Sequence, residues 1–317
     1  MRQMISFVIP CYNSTDTIRF VVDEIKETMT TSMAKYDYEI ILVNDGSPDG
    51  TTFSAIEDIV RHEKCVKGIN LSRNFGQPSA VMAALSKVTG DYVVCGDDDG
   101  QTPFDELPKL FAKIDEGYDL VEAKYAVREK RSLFRRFGTF VNETMATMLI
   151  AKPKGLELTT YWVVRRYVVD EMKQYINPYP YLGGLMLRTT QKACNVDVTH
   201  RERLSGKSGY TLKKMIHLWL NGFTSFSIEP LRMMTWVGMF TAGFAGLYGI
   251  YIVLNKLLHP EVSAGYSSLM TVMLVMFGVV LVFMGLMGEY VGRIYLSLNR
   301  APQFVIKDYL ESNNDDV

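Results

Sequence analysis

The chain has 317 residues and a formal net charge of −1 from 34 basic and 35 acidic side chains, which excludes a nucleic-acid binder working by bulk electrostatics. Its four cysteines (Cys11, Cys65, Cys95, Cys194) form no CxxC pair, which argues against a zinc knuckle or disulfide scaffold and for reduced thiols. Hydrophobic residues at 48% beside 22% charged residues imply a polar domain with an apolar segment attached.

The N-terminus, MRQMISFVIP, enters a strand directly and lacks the apolar length of a signal peptide. SFVIP, EIILVND, VKGINLS, DYVVCGD and DLVEAKY read as short apolar strands. Helical stretches near 15–33, 51–63, 77–88 and 105–116 separate them. Strands alternating with helices predict parallel pairing through right-handed crossovers, an α/β sheet of the nucleotide-binding kind.

Arg128, Lys130, Arg131, Arg135 and Arg136 then lead into an apolar stretch near 132–150. A second such segment, near 211–226, carries Lys213 and Lys214 beside Trp219 and Phe223. Both fit interfacial helices whose cations meet anionic headgroups, so membrane lipids are expected partners. The alternative is a solvated face on a core helix.

No charged side chain occurs between Arg232 and Lys256, or between Glu261 and Glu289. Each gap suffices for a membrane span, since about 20 residues at ~1.5 Å rise cross a ~30 Å hydrocarbon core. The sequence thus predicts a domain over 1–228 and a two-helix hairpin over 229–292, with spans at about 233–255 and 266–288. A cytoplasmic tail over 293–317 follows. Arg232, Arg293, Arg300 and Lys307 flank the hairpin, which places both termini on the cytoplasmic side of the inner membrane by the positive-inside rule. The Gly288–Gly292 spacing permits close helix packing and leaves homo-oligomerisation open.

Ligands of open α/β sheets bind at the carboxyl ends of strands. The first strand ends Pro10-Cys11-Tyr12-Asn13, and the second ends Asn44-Asp45-Gly46-Ser47-Pro48-Asp49-Gly50. Asp45 can accept hydrogen bonds from a base or ribose, or can simply belong to the turn every such strand needs. The fourth strand ends Gly96-Asp97-Asp98-Asp99-Gly100-Gln101. Adjacent carboxylates repel one another, and Asp97 and Asp99 share one direction on an extended strand end. Their hard oxygens suit Mg²⁺ or Mn²⁺ bridging to a diphosphate, against the plainer reading of a solvated acidic loop. Ser205-Gly206-Lys207-Ser208 only imitates a P-loop, because the first glycine of that motif would fall at Arg201. No GxGxxG follows the first strand, which disfavours a dinucleotide oxidoreductase.

Together VIPCYN, VNDGSPDGT, LSRNFGQ, the Asp97–Asp99 pair with Gln101, RERLSGKSGY and the apolar hairpin resemble family-2 glycosyltransferases. The similarity is to the polyprenyl-phosphate branch, the dolichol-phosphate mannose synthases and GtrB-like undecaprenyl-phosphate enzymes, and it covers the whole chain. The resemblance implies a GT-A fold and an inverting, metal-dependent hexose transfer from a nucleotide sugar to polyprenyl phosphate. By the same resemblance Pro10, Tyr12, Asn13 and Asp45 hold nucleoside, while Arg73 and Gly76 line the donor pocket. Asp97 and Asp99 hold metal, with Asp98 and Gln101 at the diphosphate. Arg203, Lys207 and Ser208, in RERLSGKSGY, close on the phosphates; an arginine fork pairs bidentately with phosphate.

One departure stands out. The family usually carries an Asp before the strand that follows this region, and here Glu157 is the nearest carboxylate. It is a candidate base, an orienting group for the acceptor or a turn cap. A phosphate monoester has its second pKa near 6 and needs little proton removal. The donor implied is a UDP-sugar ahead of a GDP-sugar, with UDP-glucose first. A processive polysaccharide synthase would need an Arg-Trp pair and more spans, and a non-catalytic membrane adaptor would not need the Asp pair.

Overall fold

The computed structural model describes residues 2–125, 152–153, 155–199, 201, 229–258 and 265–312. Arg203, Lys207, Ser208 and the stretches near 132–150 and 211–226 lie outside the described residues.

Strand β1 (Met4–Cys11) is buried at every position from Ile5 onward. An apolar run buried on both faces belongs at the centre of a sheet covered by helices. It pairs in parallel with β2 (Asp37–Asn44) on one side and with β4 (Tyr92–Cys95) on the other, and β3 (Val66–Leu71) continues in parallel beyond β2. Helix α1 (Ile18–Thr31) buries Ile18, Val21, Val22, Ile25 and Met29, and α2 (Thr52–His62) buries Ile56, Ile59 and Val60. The i, i+3, i+4 spacing makes each an amphipathic crossover lying on the sheet. Helix α3 (Gln77–Leu85) is buried at every position from Ser79, and α4 (Leu107–Asp115) follows a 3₁₀ turn at Phe104–Glu106. The five strands and four helices expected from the sequence are all present.

Beyond β4 the sheet turns mixed. Strand β5 (Leu120–Tyr125) does not pair with β4; β6 (Trp162–Arg165) lies between them, antiparallel to both. Strand β7 (Ala193–Val198) lies parallel to β5 at the edge. Two short helices, α5 (Arg166–Met172) and α6 (Leu182–Thr189), fill the interval between β6 and β7.

The hairpin follows. Helix α7 (Glu229–Leu258) has 30 residues and α8 (Tyr266–Leu298) has 33, both longer than the spans read from sequence. Large apolar side chains are exposed along both, among them Trp236, Phe240, Phe244, Leu247, Phe277 and Leu281. Among the described residues, one stretch, Val275–Leu298, is by itself long and apolar enough to cross a membrane. A Cβ on Gly238 would lie 3.7 Å from Phe283, whereas Gly288 and Gly292 have no neighbour within 4 Å.

The C-terminal segment differs from the expected tail. Strand β8 (Ile306–Glu311) pairs antiparallel with β3 and completes an eight-stranded sheet of order β7-β5-β6-β4-β1-β2-β3-β8. An ion pair between Lys67 Nζ and Glu311 (2.8 Å) and the Lys87 ammonium over the Tyr309 ring (5.1 Å) help hold it. Its alternation of half-buried and exposed residues is that of an edge strand with one solvated face. The chain accordingly divides into two compact units, Met1–Ile216 with Arg300–Val317, and His217–Asn299.

Candidate active site

The chain order runs outward from β1 in both directions, to β2 on one side and β4 on the other. The crossovers diverge there, which opens a crevice at the carboxyl ends of the strands. The loops after β1, β2, β3 and β4 meet at this edge, and close approach selects two glycines. A Cβ on Gly96 would lie 2.5 Å from Cζ of the buried Phe104 ring, so the acidic loop passes directly over that ring. Gly46 has φ +59°, and a Cβ there would lie 2.2 Å from the Arg73 carbonyl carbon.

Hydrogen bonds tie these loops together. Asp45 is buried, and its two oxygens accept the amides of Phe75 (2.8 Å) and Gly76 (2.9 Å). Burial pushes its carboxyl up to about 6, with the two amides opposing the rise. The sequence reading aimed this carboxylate at a base or ribose; the structure engages it first in fixing the loop that holds Arg73 and Gly76. Each oxygen retains a second lone pair. Gly76, at φ +91°, sits at the N-terminus of α3. The Arg73 guanidinium lies over the Phe75 ring at 4.5 Å.

The three adjacent carboxylates part company. Asp97 accepts from Gln77 Nε2 (2.9 Å) and from the Thr160 hydroxyl. Burial pushes its carboxyl up to about 6, helped by the charges of Asp99 and Asp98 and opposed by Thr160 and Gln77. Asp98 turns toward the loop after β1, where it accepts from the Tyr12 amide (3.0 Å) and the Ser14 hydroxyl. Its carboxyl is raised as well, chiefly by burial. Asp99 accepts the Gln101 amide at 3.0 Å, and Gln101 Nε2 donates to the Arg201 carbonyl at 3.2 Å. Tyr12 is half exposed, and Asn13, at φ +56°, donates its amide to Ser47 Oγ at 3.1 Å.

Among the described residues no three His, Cys, Asp or Glu side chains converge as a complete cation shell. A Mg²⁺-type ion needs no such shell, because one or two carboxylates with substrate phosphates and water complete its octahedron. Asp97 and Asp99, at alternate positions after β4, supply that number of hard oxygens, and a cation would relieve the crowding of three carboxylates. The residues fit the ion.

Two expected site residues stand apart from this cluster. Pro10 is buried within β1, past Val8, the last residue that pairs with β4. A residue without an N–H is tolerated there, and its side chain shapes the strand end from inside. Glu157 forms an ion pair with Lys124 (3.1 Å), both side chains partly exposed, while Asn195 clamps its backbone.

Several polar residues of the site were not singled out in the sequence. Thr160 and Gln77 orient Asp97, and Ser14 orients Asp98. Arg201 pairs with Glu24 (2.7 Å) and Asp105 (2.6 Å), which holds its side chain against the α1 and α4 side of the sheet. Glu122, wholly buried on β5, accepts from the Thr159 amide at 2.9 Å, while its Oε1 has no hydrogen-bond partner. Burial pushes its carboxyl up to about 8. The available signals were the paired Thr159-Thr160 and a glutamate inside a continuous apolar strand.

Comparisons with known proteins agree with this architecture. Residues 6–173 match glycosyl transferase family 2, and residues 229–294 match the GtrB C-terminal hairpin. The chain is 33% identical to the uncharacterized glycosyltransferase YkcC of Bacillus subtilis, over 95% of this chain and 93% of that protein. It is 30% identical to the undecaprenyl-phosphate 4-deoxy-4-formamido-L-arabinose transferase of Photorhabdus laumondii, over 98% of this chain and 95% of the relative. Among solved structures, mannosyl-3-phosphoglycerate synthase from Rubrobacter xylanophilus aligns with TM-score 0.55 at 19% identity, covering 75% of each chain. Glucosyl-3-phosphoglycerate synthase from Mycobacterium tuberculosis, bound to Mn²⁺, UDP and phosphoglyceric acid, aligns with TM-score 0.52 at 20% identity over 70% of this chain and 76% of that one. These likenesses carry the GT-A fold. The expected fold class is therefore found, and the chain belongs to glycosyltransferase family 2, with the GtrB C-terminal hairpin behind its catalytic domain.

Proposed function

We propose that this enzyme transfers a sugar, with inversion, from a UDP-sugar to polyprenyl phosphate at the cytoplasmic face of the inner membrane. The observation that carries the reading is the pairing, in one chain, of a nucleotide-sugar crevice at the ends of β1, β2 and β4 with an apolar C-terminal hairpin. Undecaprenyl phosphate is the acceptor named for the Photorhabdus relative, and UDP is bound in the Mycobacterium neighbour. That relative's sugar is a modified arabinose, so the sugar class extends beyond the hexose expected from the sequence.

The residues divide the work. Asp45 fixes the loop of Arg73 and Gly76 at the donor, while Asp98 fixes Tyr12 and Ser47 fixes Asn13 at the nucleoside. Mg²⁺ or Mn²⁺, held by Asp97 and Asp99 with Gln101 beside them, would offset charge on the departing diphosphate. Arg203, Lys207 and Ser208 meet the acceptor phosphate, whose oxygen attacks the anomeric carbon from the face opposite the nucleotide. The acceptor is mostly ionised at neutral pH, so no base is required, and the Lys124 pairing of Glu157 suits a structural part.

The membrane arrangement has a topological argument behind it. Strand β8, which follows the hairpin, shares a sheet with β1–β4, which precede it, and this supports a hairpin that returns to the side it left. With the basic flanks, that supports two crossings and a cytoplasmic catalytic domain.

The test is direct. Membranes containing the enzyme are incubated with Mn²⁺, undecaprenyl phosphate and radiolabelled UDP-glucose, UDP-4-deoxy-4-formamido-L-arabinose or GDP-mannose. Label should enter the organic phase from a UDP-sugar and require the lipid phosphate. Transfer from GDP-mannose alone overturns the nucleotide assignment, and label that never reaches lipid overturns the acceptor.

A further inference from the structure

Three side chains on three neighbouring strands form a row across the carboxyl edge of the sheet. Asn44 on β2 stands opposite Asn70 on β3, and Asn70 stands opposite Asp308 on β8. Asn44 Nδ2 donates to Asn70 Oδ1 at 2.8 Å, and Asn70 Nδ2 donates to Asp308 Oδ2 at 2.8 Å. Asn44 Oδ1 in turn accepts the Ser47 amide at 3.2 Å, closing the turn that carries Asp45 and Gly46. Ser47 Oγ then accepts the Asn13 amide at 3.1 Å. Asn44 and Asn70 are buried, so neither readily exchanges these partners for water.

The row has a direction, favoured at one end by the Ser47 amide, which can only donate, and fixed at the other by Asp308, the one member of the row that can only accept. An asparagine amide can present either its oxygen or its NH₂, so two asparagines alone can point either way. A carboxylate only accepts. Asp308 therefore makes Asn70 donate toward β8, which leaves the Asn70 oxygen for Asn44. Asn44 must then donate toward β3, and its oxygen is left facing Ser47. With the polarity reversed, Asn44 would present NH₂ to the Ser47 N–H, donor against donor, and the turn would lose its tie.

We propose that Asp308, on the strand that follows the membrane hairpin, is a positioning residue for the donor site, setting through Asn70 and Asn44 the conformation of the loop at 44–50. The segment after the hairpin thus supports the loop at 44–50 from outside the nucleotide pocket and touches no ligand. The inference rests on the reading of those strand ends as the donor pocket.

The test uses the full-length protein in nanodiscs, with UDP and GDP as probes in the presence of Mn²⁺. Asp308→Asn is nearly isosteric but removes the end that can only accept, so that the Ser47 amide alone opposes reversal of the row. It should weaken UDP binding about 10-fold, the effect of the partly buried Ser47 amide losing its acceptor, with kcat at saturating donor within about twofold. The exchange Asn70→Asp with Asp308→Asn restores a single polarity, because the central carboxylate accepts from both neighbours and Asn44 must donate again. That double variant should return UDP affinity to within about twofold of wild type. Wild-type affinity in Asp308→Asn overturns the proposal, and so does a double variant as weak as the single one. Should the wild-type protein bind neither nucleotide, the transferase reading fails, and the relay is judged on hydrogen exchange of the 44–52 segment. Faster exchange in Asp308→Asn that the double variant reverses supports the relay, and unchanged exchange overturns it.

Discussion

Asp45 holds the backbone amide of Gly76 at 2.9 Å across two loops that join different strands to different helices. The Phe75 amide occupies its other oxygen at 2.8 Å. Asp45→Asn would turn an NH₂ toward one of these donors. The expected outcome is a lower thermal midpoint, from a loss of about 1–3 kcal/mol, together with weaker UDP binding. Calorimetry on the purified variant checks the first and titration with UDP the second. An unchanged midpoint would show that the loop holds itself.

Asp99→Asn should abolish transfer while the thermal midpoint stays near wild type, because a neutral amide is a poor ligand for a hard cation. The diagnostic measurement is turnover across a Mn²⁺ titration. Near-full activity at saturating Mn²⁺ would remove Asp99 from the metal site.

Glu157→Gln should lower kcat/KM less than about threefold, since a general base contributes about 100-fold or more. The reason is its partly exposed pairing with Lys124. Steady-state rates with water-soluble short-chain polyprenyl phosphate decide it. A loss beyond 100-fold would restore this carboxylate as the base.

Glu122 gives a pH dependence with a definite sign. The folded protein keeps this carboxyl protonated up to about pH 8, whereas the ordinary value is 4.5. Across that window the folded state binds the extra proton, so its stability falls as pH rises from 4.5 to 8 and levels off above. Glu122→Gln should flatten this slope, raising the melting temperature by roughly 5 °C at pH 9 and leaving it nearly unchanged at pH 4. Thermal scans at the two pH values are sufficient, and a gain of equal size at both would mean that charge is not the cause.

Removing the hairpin has two versions with different outcomes. Truncation at residue 228 also removes β8, stripping β3 of its partner and Asn70 of Asp308. Excision of 229–299 with a flexible linker keeps that strand. The excised form should be monodisperse and bind UDP, whereas the truncated form should aggregate through its open edge. Size-exclusion chromatography separates the two expectations, and equal behaviour would make β8 dispensable.

The first half of the fold was legible because its signals are local. SFVIP and EIILVND are apolar runs closed by Gly, Pro and Asp turns, and the helices between them repeat at 3.6 residues. The later strands gave no such signal. Trp162–Arg165 has only four residues, and Ile306–Glu311 alternates with charge as an edge strand does. Asn70 and Asp308, moreover, are 238 residues apart, so nothing near either announces the other. At the site, the type of residue was readable but its direction was not. The run Asp97-Asp98-Asp99 read as one cluster, yet its middle member turns to the loop after β1 and its first to Thr160. Such choices depend on which backbone amides and hydroxyls the fold brings within 3 Å, and spacing along the chain does not encode that.

The return of β8 to the sheet also fixes an order of events during synthesis. Ribosomes make the chain from its N-terminus, so β1 to β7 emerge while the partner of β3 does not yet exist. From the start of α7 at Glu229 to the end of β8 at Glu311 lie both apolar helices. At about 5–20 residues per second that interval lasts several seconds or more. For that time the outer edge of β3 stands open, with Asn70 lacking its carboxylate. The sheet is completed only after the hairpin has been made, so the row from Asn44 through Asn70 gains its terminal carboxylate last.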